Sequence, residues 1–131
     1  MTDLDWLLTH SRRPYHWGST ERVSLSGEVA SRTCADLVSL QIVLEDGVIS
    51  EIWHRAQGCM VCQASASFLC ERFEGTEVRQ VQGQTTEEYL AELGTLTPLR
   101  QKCALQAFRC LKQILEIHRK NFTPIERPPA Q

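Results

Sequence analysis

The stretch "LVSLQIVLEDGVISEIWH", residues 37–54, constrains the fold of this chain more than any other. Val38, Leu40, Ile42 and Leu44 fall on one face at period two, the spacing of a half-buried strand. Asp46-Gly47 is the dipeptide that a two-residue hairpin turn favours, because both central residues need positive φ. Val48 to Trp53 then returns along the first run. Upstream, "ERVSLSGEVA" repeats the alternation with Val23, Leu25 and Val29. Strands in immediate succession, joined by a turn too short for a crossover, predict a three-stranded antiparallel β-meander.

After Gly58 the pattern turns helical. "CMVCQASASFLCERFEG" holds no breaker before Gly75, which the sequence suggests as its C-cap. "TTEEYLAELG" opens on a Thr85…Glu88 capping box and closes at Gly94. "TPLRQKCALQAFRCLKQILEIHRK" offers Thr97 as N-cap and Pro98 at the first helical position. Its stripe of Leu99, Cys103, Ala107, Leu111 and Leu115, with Phe108 and Ile114 beside it, predicts one buried face. "LDWLLTHSRRP" reads as a short opening helix stopped by Pro14. Strands first and helices afterwards give an α+β class, with helices packed on one face of a small sheet. The expected organisation is one domain over residues 1–120 and a flexible, Pro-rich tail over 121–131.

Charge removes several function classes. The net charge is −2 and the basic residues are scattered, which argues against nucleic acid as a partner. No apolar run reaches membrane-spanning length, and "MTDLDWLLTH" carries acids where a signal peptide carries bases. The chain reads as cytoplasmic. In that reducing compartment its six cysteines are metal ligands, reactive thiols or core residues rather than a disulfide framework.

Position separates these cysteines. Cys34 follows the first strand in "SRTCADL", two residues before Asp36; Cys59 stands where sheet hands over to helix; Cys103 lies early in the long helix. Loops and helix starts can meet at one end of a layered domain, and a helix N-terminus favours thiolate. Lys102 beside Cys103 adds to that effect. Cys110 is about 10 Å along the helix from Cys103, and Cys70 about 16 Å from Cys59, too far to share a mononuclear site. Both read as small core hydrophobes. Cys62 completes a C-x-x-C with Cys59 and is within chelating or disulfide range. Zinc-ribbon use needs a second C-x-x-C, and a thioredoxin-type dithiol wants a βαβ setting, so Cys62 reads first as filling, and otherwise as spare ligand or sulfur relay.

Four segments in order resemble the IscU/NifU-type (IscU/SufU-like) iron–sulfur cluster assembly scaffolds. "SRTCADL" is similar to the family's Cys-Gly-Asp segment, and "GCMVCQASAS" to its Gly-Cys-x4-Ala-Ser-x-Ser. "LTPLRQKCALQAF" is similar to its third-cysteine helix start, and "THSRRPYHWG" keeps His10, Pro14 and Gly18 of its His-x3-Pro-x3-Gly. The match runs roughly from His10 to His118. Departures are Ala35 for Gly, Arg32 for Pro, and Lys102, which the SufU branch shares and which is His in the IscU branch. The SufU insertion between the second and third cysteines is absent. The chaperone-recognition stretch Leu-Pro-Pro-Val-Lys stands only as "LTPLR" (96–100), which speaks against recognition by that chaperone.

The resemblance implies Cys34, Asp36, Cys59 and Cys103 as the cluster or metal site and Cys103 as the persulfide acceptor. Three thiolates suit iron in a cluster, [2Fe-2S] on this resemblance, and equally Zn2+ in a tetrahedral set. One carboxylate among them makes a harder, weaker corner, useful for cargo that must be handed on. The implied function is a non-enzymatic scaffold that accepts sulfur from a cysteine desulfurase, binds iron and passes the nascent cluster to acceptor apo-proteins, as a monomer or weak homo-oligomer. The alternative is a SufU-like zinc-bound sulfur acceptor that activates the desulfurase without building a cluster. A module with structural zinc only ranks last.

Overall fold

The computed structural model describes residues 4–31 and 36–126. Helix α1 (Asp5–Arg12) leads into strands β1 (Leu25–Ala30), β2 (Leu37–Glu45) and β3 (Val48–Gln57), and helices α2 (Met60–Phe73), α3 (Val78–Gly83), α4 (Thr86–Leu93) and α5 (Pro98–Glu126) follow. The sheet order is β1-β2-β3 and both pairings are antiparallel, the expected meander within an α+β fold. Asp46 and Gly47 have φ of 54° and 78°, the two positive values that a type I′ turn requires.

One face of the sheet carries the core. Val38, Leu40 and Ile42 of β2 and Ile49, Ile52, His54 and Ala56 of β3 are buried, whereas Ser39, Gln41 and Trp53 between them are only half-buried. Helices α2 and α5 pack on this face and against each other, and α1 closes over α2. Helix α2 is therefore enclosed on several sides, and its run Ala64, Ser65, Ala66, Ser67 is wholly buried. Tiny side chains let neighbours approach closely; the hydroxyls find partners. Ser67 Oγ accepts the Tyr15 N–H at 2.6 Å and meets His10 Nδ1 at 2.6 Å. Glu74, just past α2, takes the Ile52 N–H at 3.0 Å, the Tyr15 hydroxyl, and His16 Nδ1 at 2.7 Å. This carboxylate ties the segment after α1 to β3.

The helix signals hold with four adjustments. The Thr85–Glu88 capping box forms, and the Thr97 hydroxyl accepts the Arg100 N–H at 3.4 Å. Helix α2 ends at Phe73, and Gly75 (φ 83°) serves the turn beyond it rather than capping it. Leu99, expected in the buried stripe of α5, is 58% exposed. Helix α5 runs on past Lys120 to Glu126; the first residues of the supposed tail, Asn121 to Thr123, contain no breaker. Helix α3 was not anticipated: it is six residues long, has no side-chain cap and buries only Val81, too little for a periodic signal. No helix among the described residues is long and apolar enough to cross a membrane.

Cys70 and Cys110 sit in the core at 0% and 1% exposure. Burial pushes the Cys70 thiol well above its usual range and the Cys110 thiol up to about 12. The Cys110 thiol donates to the Val38 carbonyl at 3.9 Å, a weak bond. Cys110→Ala should lower stability by about 1 kcal/mol and leave metal content unchanged, as checked by urea unfolding beside metal analysis; lost metal would contradict the core assignment.

Candidate metal centre

The hairpin builds half of the site by register. Leu37 pairs with Gln57, so the chain positions just outside that pair, Asp36 and Gly58, face each other at the end of the sheet. A one-residue slip between Val43 and Leu44 sets this alignment. Gly58 has φ of 136°, and a Cβ placed there would lie 2.0 Å from Asp36 Oδ1. Only glycine lets the two backbones close in this way.

Beyond Gly58 the chain enters α2 with Cys59 as N-cap, in extended conformation (φ −71°, ψ 166°). Its Sγ accepts the Cys62 N–H at 3.4 Å, the capping role that an oxygen usually fills. Its own N–H donates to Asp36 Oδ1 at 3.0 Å, and Sγ stands 3.8 Å from Asp36 Oδ2. Asp36 thus holds Cys59 by its backbone while facing its sulfur. Helix α5 brings the third group, since Cys103 lies in its second turn and its first turn is fixed by Thr97 and by the Gln101 side chain on the Leu96 carbonyl.

One ligand atom from each of Asp36, Cys59 and Cys103 lies within 4.8 Å of the others. Around a tetrahedral ion with metal–sulfur bonds of about 2.3 Å, ligands stand about 3.8 Å apart, so a small contraction suffices. Asp36 is 1% exposed and, among the described residues, has no ion pair with Lys, Arg or His. A buried carboxylate without a cation is costly. Two thiols and such a carboxylate therefore fit a bound cation. Cys103 is buried and Cys59 exposed, so the site is anchored on the protein side and open on the other.

Of the residues singled out in the sequence, Asp36, Cys59 and Cys103 come together; Cys34 lies outside the described residues. Cys62 is fully buried beneath the first turn of α2 and is not among the three. Lys102 is exposed and is not among the three. Two apolar side chains stand exposed beside the site: Met60, next to Cys59, at 51%, and Leu99, one turn before Cys103, at 58%. Sequence reasoning missed Gly58 as the residue that admits Asp36; a glycine one step beyond a strand, facing an acid one step before its partner, was the available signal.

Comparison with known proteins gives the family and the fold. The family model for the NifU-like N terminal domain matches residues 4–123. The chain is 28% identical over 116 residues to the iron–sulfur cluster assembly scaffold protein IscU of Thermotoga maritima, covering 76% of this chain and 82% of that one. It is 26% identical over 125 residues to the protein of the same name from Streptococcus pyogenes, covering 82% and 78%. Among solved structures, a scaffold protein described for the SUF system of Fervidobacterium islandicum superposes with a TM-score of 0.68 at 19% identity, over 85% of this chain and 94% of that one. A NifU-like protein (N-terminal) of Brucella abortus gives 0.67 at 18% identity, over 87% and 93%. These two likenesses speak for the fold; with a family match over residues 4–123, the protein belongs to the NifU-like N-terminal domain family.

Proposed function

We propose that this protein is an iron–sulfur cluster assembly scaffold. Sulfur from a cysteine desulfurase is accepted at Cys103, iron is held by Cys34, Asp36, Cys59 and Cys103, and the nascent cluster passes to acceptor apo-proteins. The observation that carries this reading is the convergence of Asp36, Cys59 and Cys103 within 4.8 Å, graded from buried to exposed. Iron and sulfide are cargo here, so a site that binds and then releases serves better than one that locks. Asp36 supplies the releasable corner: an oxygen ligand among thiolates binds soft iron less tightly. The protein positions reactants and performs no acid–base catalysis of its own.

Anaerobic reconstitution with iron, cysteine and a desulfurase should give visible charge-transfer absorption. A colourless protein that keeps one tight zinc and speeds the desulfurase would sink the scaffold reading. It would support the second one, a zinc-bound sulfur acceptor. That reading is favoured by the compactness of the trio, which suits a single tetrahedral ion, and by Lys102 in place of a ligating His. Asp36→Ala should lengthen the half-life of a reconstituted cluster several-fold under chelator challenge; faster loss would contradict the releasable-corner role.

A further inference from the structure

The C-x-x-C of residues 59–62 contributes only Cys59 to the metal trio, which leaves a second thiol one helical turn away without a role in the site. Cys70 and Cys110 are also buried, but each stands alone in mid-helix. Cys62 does not. Its N–H bonds to Cys59 Sγ at 3.4 Å, so the N-cap sulfur already lies over the first turn that Cys62 belongs to. Residues three apart in a first helical turn have the Cα separation that a disulfide needs, about 5.5 Å. The pair is asymmetric, with Cys59 exposed and Cys62 at 0%. That is the arrangement of an attacking thiol with a shielded resolving thiol behind it. On its other side, Cys59 Sγ lies within 4.8 Å of Cys103 Sγ.

We infer that Cys59 and Cys62 form a redox dithiol that reduces sulfane sulfur carried on Cys103 and releases it as sulfide. The inference rests on the proposed acceptance of sulfur at Cys103. In the first step Cys59 Sγ attacks the inner sulfur of the Cys103 persulfide. The persulfide S–S bond breaks, the outer sulfur leaves as hydrogen sulfide with the Cys59 proton, and a Cys59–Cys103 disulfide forms. In the second step Cys62 Sγ attacks the Cys59 sulfur, forming Cys59–Cys62 and returning Cys103 as a thiol with the Cys62 proton. Two thiols lose two electrons in total and the sulfane sulfur gains them. An external dithiol reductant reopens the disulfide for another round. While it is closed, Cys59 is withdrawn from the metal trio, so sulfide release and metal binding alternate at one sulfur.

The test uses the full chain, reduced and metal-free under argon, treated with an organic persulfide and no added thiol. Sulfide is assayed, and disulfides are mapped by alkylation and mass spectrometry. The expected result is about one sulfide released for each Cys59–Cys62 disulfide formed, with Cys103 still alkylatable. Cys62→Ser and Cys62→Ala should both release sulfide about tenfold more slowly or stop at the Cys59–Cys103 disulfide, while still taking up metal like the parent. Two variants guard against a packing artefact at this buried position. Equal sulfide release from both variants, or a parent disulfide that maps to Cys59–Cys103 alone, overturns the dithiol and leaves sulfur acceptance standing. If Cys103 takes up no sulfane sulfur, the acceptor reading falls and the dithiol with it.

Discussion

Gly58→Ala should abolish metal binding and lower stability by about 3 kcal/mol, the sum of a strained backbone and a collision. The strain follows from φ of 136°, where an L side chain is disfavoured whatever the space around it. The collision follows from Asp36, whose Oδ1 would lie 2.0 Å from the new Cβ. Asp36 would have to swing away, giving up the Cys59 N–H and its place in the trio. Gly47→Ala separates the two causes. That glycine also has positive φ, 78°, but nothing stands within 4 Å of the Cβ position. It should cost about 1 kcal/mol and leave metal binding intact. Urea unfolding with parallel metal titration reads both quantities, and a Gly58→Ala protein that binds metal like the parent would refute this account of the site.

Acid should destabilise the fold steeply between about pH 6.5 and pH 4, chiefly through His54. Burial in the core face of β3, ahead of the neighbouring His16 and His10, holds the His54 pKa at about 4 despite a bond from Nε2 to the Tyr15 carbonyl at 3.1 Å. That carbonyl can only accept, so Nε2 carries the proton; Nδ1 is buried with no hydrogen-bond partner among the described residues. Charging the ring would put an N–H into apolar surroundings with no acceptor. The unfolded chain takes a proton on this histidine below about pH 6.5, while the folded chain resists until about pH 4. The contribution to stability is therefore complete above the unfolded pKa and lost as pH falls through the window, about 3 kcal/mol at full extent. His54→Gln keeps a donor for Tyr15 but does not titrate. Its stability should fall much less between about pH 7.5 and 4.5 by urea unfolding. The residual slope belongs to His10, whose pKa burial also lowers, against a partial opposing pull from Glu71. An unchanged profile in His54→Gln would assign the acid sensitivity elsewhere.

The meander was legible because Asp46-Gly47 and period-two alternation are local signals, and α4 and α5 because their caps are local too. Cys59 and Cys103 stood apart from the other cysteines by position, whereas Asp36 alone would read as a turn or cap residue and was singled out only by the family resemblance. Their exact juxtaposition was not. Counting outward from the turn pairs Asp36 with Gln57; the slip between Val43 and Leu44 moves the pairing by one and brings Gly58 opposite instead. No residue pattern announces that bulge. The layer of His16, Trp53 and Glu74 was also hidden, because it joins segments far apart in sequence through a ring stack at 4.0 Å and a shared carboxylate. Long-range pairs of this kind depend on how the N-terminal segment folds back across β3.

The trio draws two groups from the end of one hairpin and the third from a helix that the chain reaches only after α2, α3 and α4. A bound ion therefore clasps the segment from Cys59 to Cys103 into a closed ring, as a crosslink would, and its binding energy adds to the docking of α5 on the sheet. Occupancy then reports completion of the fold: a nascent chain still lacking α5 has no third ligand of the trio to offer. Loss of the ion, conversely, would loosen the clasp between α5 and the hairpin, and the change would be felt along a helix that packs on β1 and β2.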